Sequence, residues 1–174
     1  MKRRRWILTF ALATLLAGCR SGYRPASMPP AVVDAWPVVR VVDGDTIRVR
    51  YEGRDEPVRL LCIDTPERGE PGFEEATGAT RSLVEGREVV LEFAEPGRPE
   101  RDRYGRLLAY VFLDGRNVNV EMVRLGLTPF WTKYGRGRYA EDFERAEAEA
   151  RAAARYETNY QEHLAHSLKQ ERKE

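Results

Sequence analysis

Histidine and cysteine are both scarce in this chain of 174 residues. The two histidines, His163 and His166, lie near the C-terminus, so a reaction that needs a histidine base has no candidate in the central region. Their spacing is that of a metal pair, but no third ligand lies nearby in sequence, which favours a solvated helix end. The two cysteines are Cys19 and Cys62.

A large excess of basic charge is also absent. The formal net charge is +1, and removing the four basic residues of the segment 1–18 leaves 25 basic against 28 acidic residues, or −3. A mildly acidic body excludes the broad phosphate-binding footprint of a DNA-packaging protein, so any nucleic-acid contact should be local. The 42% hydrophobic and 33% charged residues indicate a globular domain, with length left for a leader or tail.

The N-terminus has the pattern of an export signal. Residues 1–5 are basic, and the apolar run 6–16 is too short to span a bilayer comfortably. The following LAGC (residues 16–19) resembles a bacterial lipoprotein signal, in which Cys19 is lipidated and becomes the mature N-terminus. An ordinary secretory signal or an uncleaved anchor are the alternatives, and residues 4–8 also resemble a twin-arginine signal. We therefore expect an exported protein, anchored by lipid to a membrane of the bacterial cell envelope.

Three segments other than the folded domain follow from these patterns. Residues 1–18 are the predicted signal peptide, and residues 19–37, rich in Pro, Ser, Gly and Ala, are the predicted flexible tether. Residues 161–174 form a charged tail. Cys62 is then the only remaining thiol, so no intramolecular disulfide can form. Its apolar surroundings in the sequence predict an inert core residue.

The pattern between residues 38 and 160 predicts five strands and three helices. The strands cover residues 38–42, 47–51, 57–63, 88–93 and 107–113, with a polar loop at 94–106. The helices cover residues 73–85, 118–125 and 139 to about 168, the first two ended by glycines. The buried stripe of the last helix is predicted at Tyr139, Phe143, Ala146, Ala150 and Ala153. Five short strands with a helix after the third match an α+β, mainly β fold, the five-stranded Greek-key barrel called the OB-fold.

Three short clusters carry candidate chemistry, and each has a simpler explanation. VDGDT (residues 42–46) could be a plain hairpin turn. RLLCIDTPE (residues 59–67) could be a core strand whose arginine reaches the rim, followed by a helix start. DRYGR (residues 102–106) could be a solvated charged loop.

Taken together, the clusters supply what phosphodiester hydrolysis needs. Asp45 and Asp64 are hard oxygen ligands, which suit Ca²⁺ or Mg²⁺ rather than zinc. Arg59 and Arg106 can each grip phosphate oxygens through two donors as charge builds in the transition state. Glu67 can take the proton from the attacking water.

The same three clusters, read as VDGDT, RLLCIDTPE and DRYGRLLAY, resemble the signature blocks of the thermonuclease (staphylococcal nuclease-like) family. Residues 117–127 resemble the second helix of that family, and the likeness covers about residues 37 to 155. It implies an OB-fold with three helices and Ca²⁺-dependent cleavage of DNA and RNA to 3′-phosphate ends, with Mg²⁺ the less favoured cation.

The resemblance also assigns roles to residues. Calcium would be held by the side chains of Asp45 and Asp64 and by the backbone carbonyl of Thr65. Glu67 would be the general base, with Arg59 and Arg106 as phosphate-binding arginines. The expected substrate contacts are Arg103, Tyr104 and Tyr134, while Thr132 stands where the family has a further tyrosine.

One spacing needs a structural explanation. Arg59 and Asp64 are five residues apart, so strict strand alternation would place them on opposite faces. The functional interpretation therefore requires a bulge in the strand, or a strand that ends before Asp64.

Two rival interpretations remain. One is a non-catalytic OB-fold module that binds nucleic acid or protein; the other is a structural lipoprotein with salt bridges such as Arg59–Glu67. A pure binder has no use for the whole set of acids and cations, which favours a nuclease acting on DNA, RNA or both. We expect the protein to be a monomer.

Overall fold

The computed structural model describes residues 34–153. The predicted signal peptide, Cys19, the two histidines and the C-terminal tail lie outside the described residues, as does the predicted tether up to residue 33. The last residues of that predicted tether, 35–37, belong instead to the first strand, where they pair with residues 88–90. The strands are β1 Ala35–Val41, β2 Thr46–Tyr51, β3 Arg54–Leu60, β4 Glu88–Phe93, β5 Glu100–Arg101, β6 Leu107–Leu113 and β7 Arg116–Asn117. The helices are α1 Phe73–Val84, α2 Val118–Arg124 and α3 Ala140–Ala152. None of the helices within residues 34–153 has the length and apolarity to cross a membrane.

The five long strands close into a barrel. They follow the order β3-β2-β1-β4-β6 with antiparallel neighbours, and a parallel pairing of β3 with β6 completes the ring. The predicted mainly β barrel with three helices, consistent with the OB-fold, is confirmed. Two short strands were not predicted: β5 lies within the predicted loop 94–106, and β7 lies between the predicted fifth strand and second helix. Both pair with β6.

Alternation along the strands separates the core from the outer face. Ile47 and Val49 of β2 are buried inside the barrel, as are Val58 and Leu60 of β3. The intervening residues of both strands therefore point outwards. Arg59 is one of these outward residues, which places its guanidinium on the barrel surface rather than in the core.

β3 ends at Leu60, three residues before the predicted end at Ile63. Cys62 then adopts a left-handed backbone conformation with φ 62°, which turns the chain away from the strand direction. The carbonyl of Leu61 accepts a hydrogen bond from Asn119 Nδ2 at 2.9 Å, and that of Cys62 accepts one from Trp131 N–H at 2.9 Å. The strand therefore ends before Asp64 and contains no bulge there, which is one of the two expected geometries. This early end brings Asp64 to the same face as Arg59.

The thiol of Cys62 is half-buried, with its Sγ 3.5 Å from the hydroxyl of Tyr110. Burial raises the pKa of the Cys62 thiol above its ordinary value. A raised pKa disfavours the reactive thiolate, in agreement with the inert residue that the sequence predicts.

Helix α1 packs against the β1–β2 turn at Gly44. A Cβ atom added there would lie 2.8 Å from Ala76 Cβ of α1 and 2.7 Å from Thr65 Oγ1. The hydroxyl of Thr80 also donates to the carbonyl of Gly44 at 2.7 Å. Only glycine allows this close approach, and the turn that carries Asp45 is thereby held against the helix.

Helix α3 covers the barrel with the predicted stripe, with one correction. Tyr139, Phe143, Ala146 and Ala150 are buried, and the ring of Phe143 stacks on that of Phe130 at 4.9 Å. Ala153 is exposed instead of buried, because α3 ends at Ala152 and Ala153 occupies the C-cap. The predicted continuation of the helix to about residue 168 lies outside the described residues.

Candidate functional site

Arg59 lies between the two predicted metal ligands. Its Nε is 3.2 Å from Asp45 Oδ1, and its second terminal nitrogen donates to Asp64 Oδ1 at 2.7 Å. The other terminal nitrogen donates to the carbonyls of Leu60 and Ile63 at 2.8 and 2.7 Å. The guanidinium is thus fixed at one end by the backbone of the turn, and its two-donor edge faces the carboxylates.

The predicted alternative of an Arg59–Glu67 salt bridge is wrong. Arg59 pairs with Asp45 and Asp64 instead. The chain turns at Cys62 and passes through the buried Pro66, so Glu67 reaches the surface beyond the aspartates.

Asp45 is buried, and its carboxylate is held from two sides. Oδ2 accepts hydrogen bonds from the backbone N–H of Thr65 at 2.9 Å and from its hydroxyl at 3.1 Å. Oδ1 accepts a hydrogen bond from the hydroxyl of Thr46 at 3.0 Å. The backbone carbonyl of Asp45 accepts the N–H of Leu60 at 2.8 Å, which joins the β1–β2 turn to the end of β3. With Arg59 Nε, the carboxylate has four contacts, and these together with burial fix it in one orientation.

Asp64 is positioned by a residue from a distant part of the chain. Thr128 Oγ1 accepts the backbone N–H of Asp64 at 3.0 Å and donates to its carbonyl at 2.8 Å. Thr128 is only 4% exposed and begins the loop that follows α2. The same side chain thus holds both backbone groups of the second predicted ligand.

Glu67 lies at the exposed side of this cluster. Its backbone N–H donates to Glu70 Oε2 at 2.8 Å, and its carbonyl accepts the N–H of Glu70 at 2.9 Å. Its carboxylate makes no hydrogen bond or salt bridge to residues 34–153, and the N-cap of α1 is Gly72 without a side-chain cap. The Glu67 carboxylate is therefore not engaged as a structural clamp among the described residues.

Arg106 reaches the cluster through a tight turn. The carboxylate of Asp102 accepts the backbone N–H groups of Tyr104 and Arg106, each at 2.9 Å, and pairs with Arg106 Nε at 2.7 Å. Burial opposes ionisation of Asp102, but the hydrogen bonds from Arg106 and Tyr104 lower its pKa below the ordinary value. Arg106 Nη1 lies 3.3 Å from the hydroxyl of Thr46, so a single hydroxyl separates it from Asp45.

Of the predicted substrate contacts, Arg103 and Tyr104 adjoin Arg106. The ring of Tyr104 is 65% exposed, with the guanidinium carbons of Arg103 and Arg106 at 4.9 and 5.4 Å from its centroid. Tyr134, in the loop that begins at Thr128, is 89% exposed. Tyr104 is therefore directly linked to the cluster through Arg106, whereas Tyr134 offers a free aromatic face in a separate loop.

Asp43 adds a further carboxylate that the sequence did not single out. Burial, followed by repulsion from Asp45, raises its pKa to about 6, with a smaller contribution from Glu67. Asp43 Oδ1 also accepts the backbone N–H of Asp45 at 3.1 Å. Negative charge is therefore crowded on this side of the barrel, and a bound cation would relieve the repulsion.

The oxygen donors fit a hard divalent cation that uses few protein ligands. Within residues 34–153 no three side chains of His, Cys, Asp or Glu form a metal cage. The predicted set needs only Asp45, Asp64 and the Thr65 carbonyl, and that carbonyl accepts no hydrogen bond from the described residues although Thr65 is buried. Carboxylate and carbonyl oxygens are ligands that Ca²⁺ and Mg²⁺ prefer, with water or phosphate filling the remaining positions.

The structure thus brings the predicted acids and arginines together and adds Asp43, Thr46 and Thr128. Asp43 and Thr46 lie inside the VDGDT motif, so the motif itself could have indicated them. Thr128 carries no comparable signal, because nothing in the sequence links a threonine after α2 to a carboxylate 64 residues earlier.

Comparisons with known proteins point in one direction. Residues 57–156 match the family model described as "Staphylococcal nuclease homologue". The chain is 40% identical over 120 residues to the SPbeta prophage-derived endonuclease YokF of Bacillus subtilis, covering 65% of this chain and 40% of that protein. It is 38% identical over 120 residues to Endonuclease YncB of the same organism, covering 65% of this chain and 56% of the relative.

A thermonuclease of Staphylococcus hyicus is 32% identical over 134 residues, covering 74% of this chain and 78% of that protein. By contrast, the chain spans only about half the length of the two Bacillus relatives.

Proposed function

Since this chain belongs to the family of staphylococcal nuclease homologues, we propose that it is a nuclease that hydrolyses phosphodiester bonds of DNA and RNA. The observation that carries the proposal is the arrangement of Asp45, Arg59 and Asp64, with a two-donor guanidinium edge facing two carboxylates. The cation is calcium, held by Asp45, Asp64 and the Thr65 carbonyl, and the products carry 3′-phosphate ends. When bound, the cation polarises a phosphoryl oxygen and offsets its charge.

Arg59 has the geometry of a phosphate-binding residue. Its Nε and one terminal nitrogen form the edge that faces Asp45 and Asp64, while the other terminal nitrogen is anchored on backbone carbonyls. A phosphate would take that same edge once Asp45 and Asp64 turn from Arg59 towards the cation, because a planar fork of two N–H donors matches two phosphate oxygens. The anchoring means that little side-chain entropy is lost when Arg59 binds the phosphate.

Glu67 acts as the general base. Its carboxylate is exposed and lies close enough to the cluster to raise the pKa of Asp43. Having no salt bridge among the described residues, it can accept a proton from water without first breaking a protein contact. The buried Pro66 fixes the backbone from which the side chain extends.

Arg106 supports the transition state from the opposite loop. Asp102 holds the Arg106 backbone and Nε, so the terminal nitrogens extend towards Thr46 and Asp45. Charge that builds on the phosphoryl oxygens is then met by two fixed guanidiniums, which is the arrangement that lowers the barrier most in a partly desolvated site.

A digestion assay with end analysis tests the activity. Single- and double-stranded DNA and RNA are incubated with Ca²⁺, with Mg²⁺ and with EDTA, and Asp45→Asn is compared with Asp114→Asn. Asp114 is the matched control, because it is an exposed acid paired with Arg87 rather than with Arg59. We expect cleavage with Ca²⁺ that Asp45→Asn abolishes and Asp114→Asn retains, with products that a polymerase extends only after phosphatase treatment.

Other outcomes would overturn specific parts of the proposal. Full activity in EDTA would refute the requirement for a cation. An equal loss of activity in Asp45→Asn and Asp114→Asn would refute the assignment of Asp45 as a ligand. Tight binding of nucleic acid without cleavage in any cation would identify a non-catalytic binding module instead.

The cellular location is a separate part of the proposal. The basic start, the short apolar run and LAGC (residues 16–19) support export followed by lipidation of Cys19. Intact mass of the natively expressed protein should show a chain that begins at lipidated Cys19. An unmodified Cys19 with residues 1–18 still attached would refute this.

A further inference from the structure

Arginines occupy the outer face of the barrel next to the site. Arg48 and Arg50 of β2 point outwards, because they alternate with Ile47 and Val49, which are buried. Arg40 of β1 is the register partner of Arg48 and is exposed. These three residues, Arg40, Arg48 and Arg50, form what is called here the arginine surface.

The arginine surface continues directly from the candidate site. Thr46, which bonds both Asp45 and Arg106, is the first residue of β2 and the register partner of Arg59. Arg48 and Arg50 follow on the same face of the strand, about 7 and 13 Å further along at the usual rise per residue. The surface therefore leads away from the site along β2, with Arg40 of the neighbouring strand β1 beside Arg48.

One acid, Asp55, offsets part of this charge and is also the register partner of Arg50. Asp55 is bonded to Arg48 through Nε at 2.8 Å, and the same arginine donates to the Asp55 carbonyl at 2.8 Å. Arg40 and Arg50 make no salt bridge among residues 34–153. Glu52 and Arg54, both exposed at the β2–β3 turn, carry opposite charges and add no net charge there. Two exposed guanidiniums and one fixed by Asp55 thus remain on one face of a body whose overall charge is slightly negative.

We propose that the arginine surface binds the sugar–phosphate backbone of a single nucleic-acid strand that extends out of the candidate site. This inference rests on the proposed nuclease function, because the strand is the substrate. A row of guanidiniums binds phosphates irrespective of base sequence. The row along β2 offers contacts to the backbone of one nucleic-acid strand and does not require a duplex. Short substrates end before reaching Arg50, so they gain nothing from the surface.

The chain offers a matched control for the charge change. Arg87 and Arg116 lie together on one surface depression formed by the end of α1, the β6–β7 turn and the start of α2. Neither residue belongs to a strand that borders β2. The test pair is Arg40→Gln with Arg50→Gln, and the control pair is Arg87→Gln with Arg116→Gln, so that both double variants lose two positive charges.

Binding is measured without cleavage, which separates this inference from the activity itself. A fluorescent 12-nucleotide single-stranded DNA is titrated in EDTA at several salt concentrations. Each phosphate contact on a single strand contributes about 0.7 to the slope of log K against log salt. The test pair should weaken binding about tenfold at low salt and reduce that slope by about 1.4, whereas the control pair should change neither.

Catalysis provides an independent readout. With Ca²⁺, the ratio of kcat/KM for the 12-mer to kcat/KM for a dinucleotide should fall in the test pair and remain constant in the control pair. Equal effects of the two pairs, or an unchanged slope in the test pair, would overturn the proposal. Vesicles of anionic phospholipid supply the other candidate partner. Vesicle binding that the test pair abolishes, with 12-mer binding intact, would assign the surface to a membrane and also overturn it.

Discussion

Replacing Thr128 by valine removes one hydroxyl while keeping the shape of the side chain. That hydroxyl accepts a hydrogen bond from the Asp64 N–H at 3.0 Å and donates one to the Asp64 carbonyl at 2.8 Å. The Pro129 carbonyl lies farther from the hydroxyl, at 3.2 Å. Two hydrogen bonds are lost at once, each with a net contribution of about 0.5–1.5 kcal/mol. The free energy of unfolding should therefore fall by about 1–3 kcal/mol. For a domain of this size that corresponds to a fall in Tm of roughly 5–15 °C.

The functional effect should exceed the loss of stability. Without Thr128, the backbone at Asp64 is no longer fixed, and the carboxylate moves relative to Asp45. A displacement of about 1 Å in a catalytic arrangement can reduce the rate by about 10²-fold. We expect weaker binding of Ca²⁺ in a calorimetric titration and a loss of kcat/KM measured well below the Tm of the variant. Thr128→Ser is the control, because it keeps the hydroxyl and should restore both values.

Two results would refute the reasoning. A Thr128→Val protein with normal Tm would show that the two hydrogen bonds contribute nothing. A lowered Tm with normal Ca²⁺ affinity and normal turnover would show that Thr128 supports the fold but does not position Asp64.

Three further substitutions test other parts of the site. Glu67→Gln should lower kcat by about 10²–10⁴ with an unchanged Tm, since the carboxylate has no structural partner among the described residues, and near-normal kcat on the same sample would end its role as a base. Tyr104→Ala should raise KM more than it lowers kcat, because loss of a stacking ring costs about 1–3 kcal/mol of binding; a loss confined to kcat would contradict this. Gly44→Ala forces a Cβ against Thr65 and Ala76 and should cost about 1–3 kcal/mol of stability by chemical denaturation, with weaker Ca²⁺ binding. Wild-type stability in that variant would show that the close approach is not required.

The sequence was sufficient for the barrel because its strands alternate clearly. Ile47 and Val49 are buried as their spacing predicts, and Gly86 and Gly126 follow the first two helices with positive φ. The small strands β5 and β7 were missed because two residues cannot show a period, and their pairing depends on where β6 happens to lie.

The end of β3 shows why local pattern was insufficient near the site. Leu61, Cys62 and Ile63 are as apolar as a strand, yet the chain leaves the sheet at Leu60. Contacts from Asn119 and Trp131, about 60 and 70 residues later, hold this turn, and tertiary contacts of that kind override local preference. Thr128 escaped notice for the same reason, since its function arises from proximity in space.

Closure of the barrel also determines when the site can exist. The parallel pairing joins Arg59 to Leu108, and it is the contact that completes the ring. Pairing of segments so far apart carries an entropic cost that is recovered only late in folding, after the local hairpins have formed. Arg106 lies immediately before β6 and meets Thr46 across this last seam. A partly folded chain with the β1–β2 hairpin formed therefore carries Asp45 but does not yet have Arg106 in place. Such a chain has its local contacts but not the complete set of residues that the proposed cleavage needs. On the proposed function, catalytic competence is in this sense a property of the finished barrel alone, because the second guanidinium reaches Thr46 only when β6 has paired with β3.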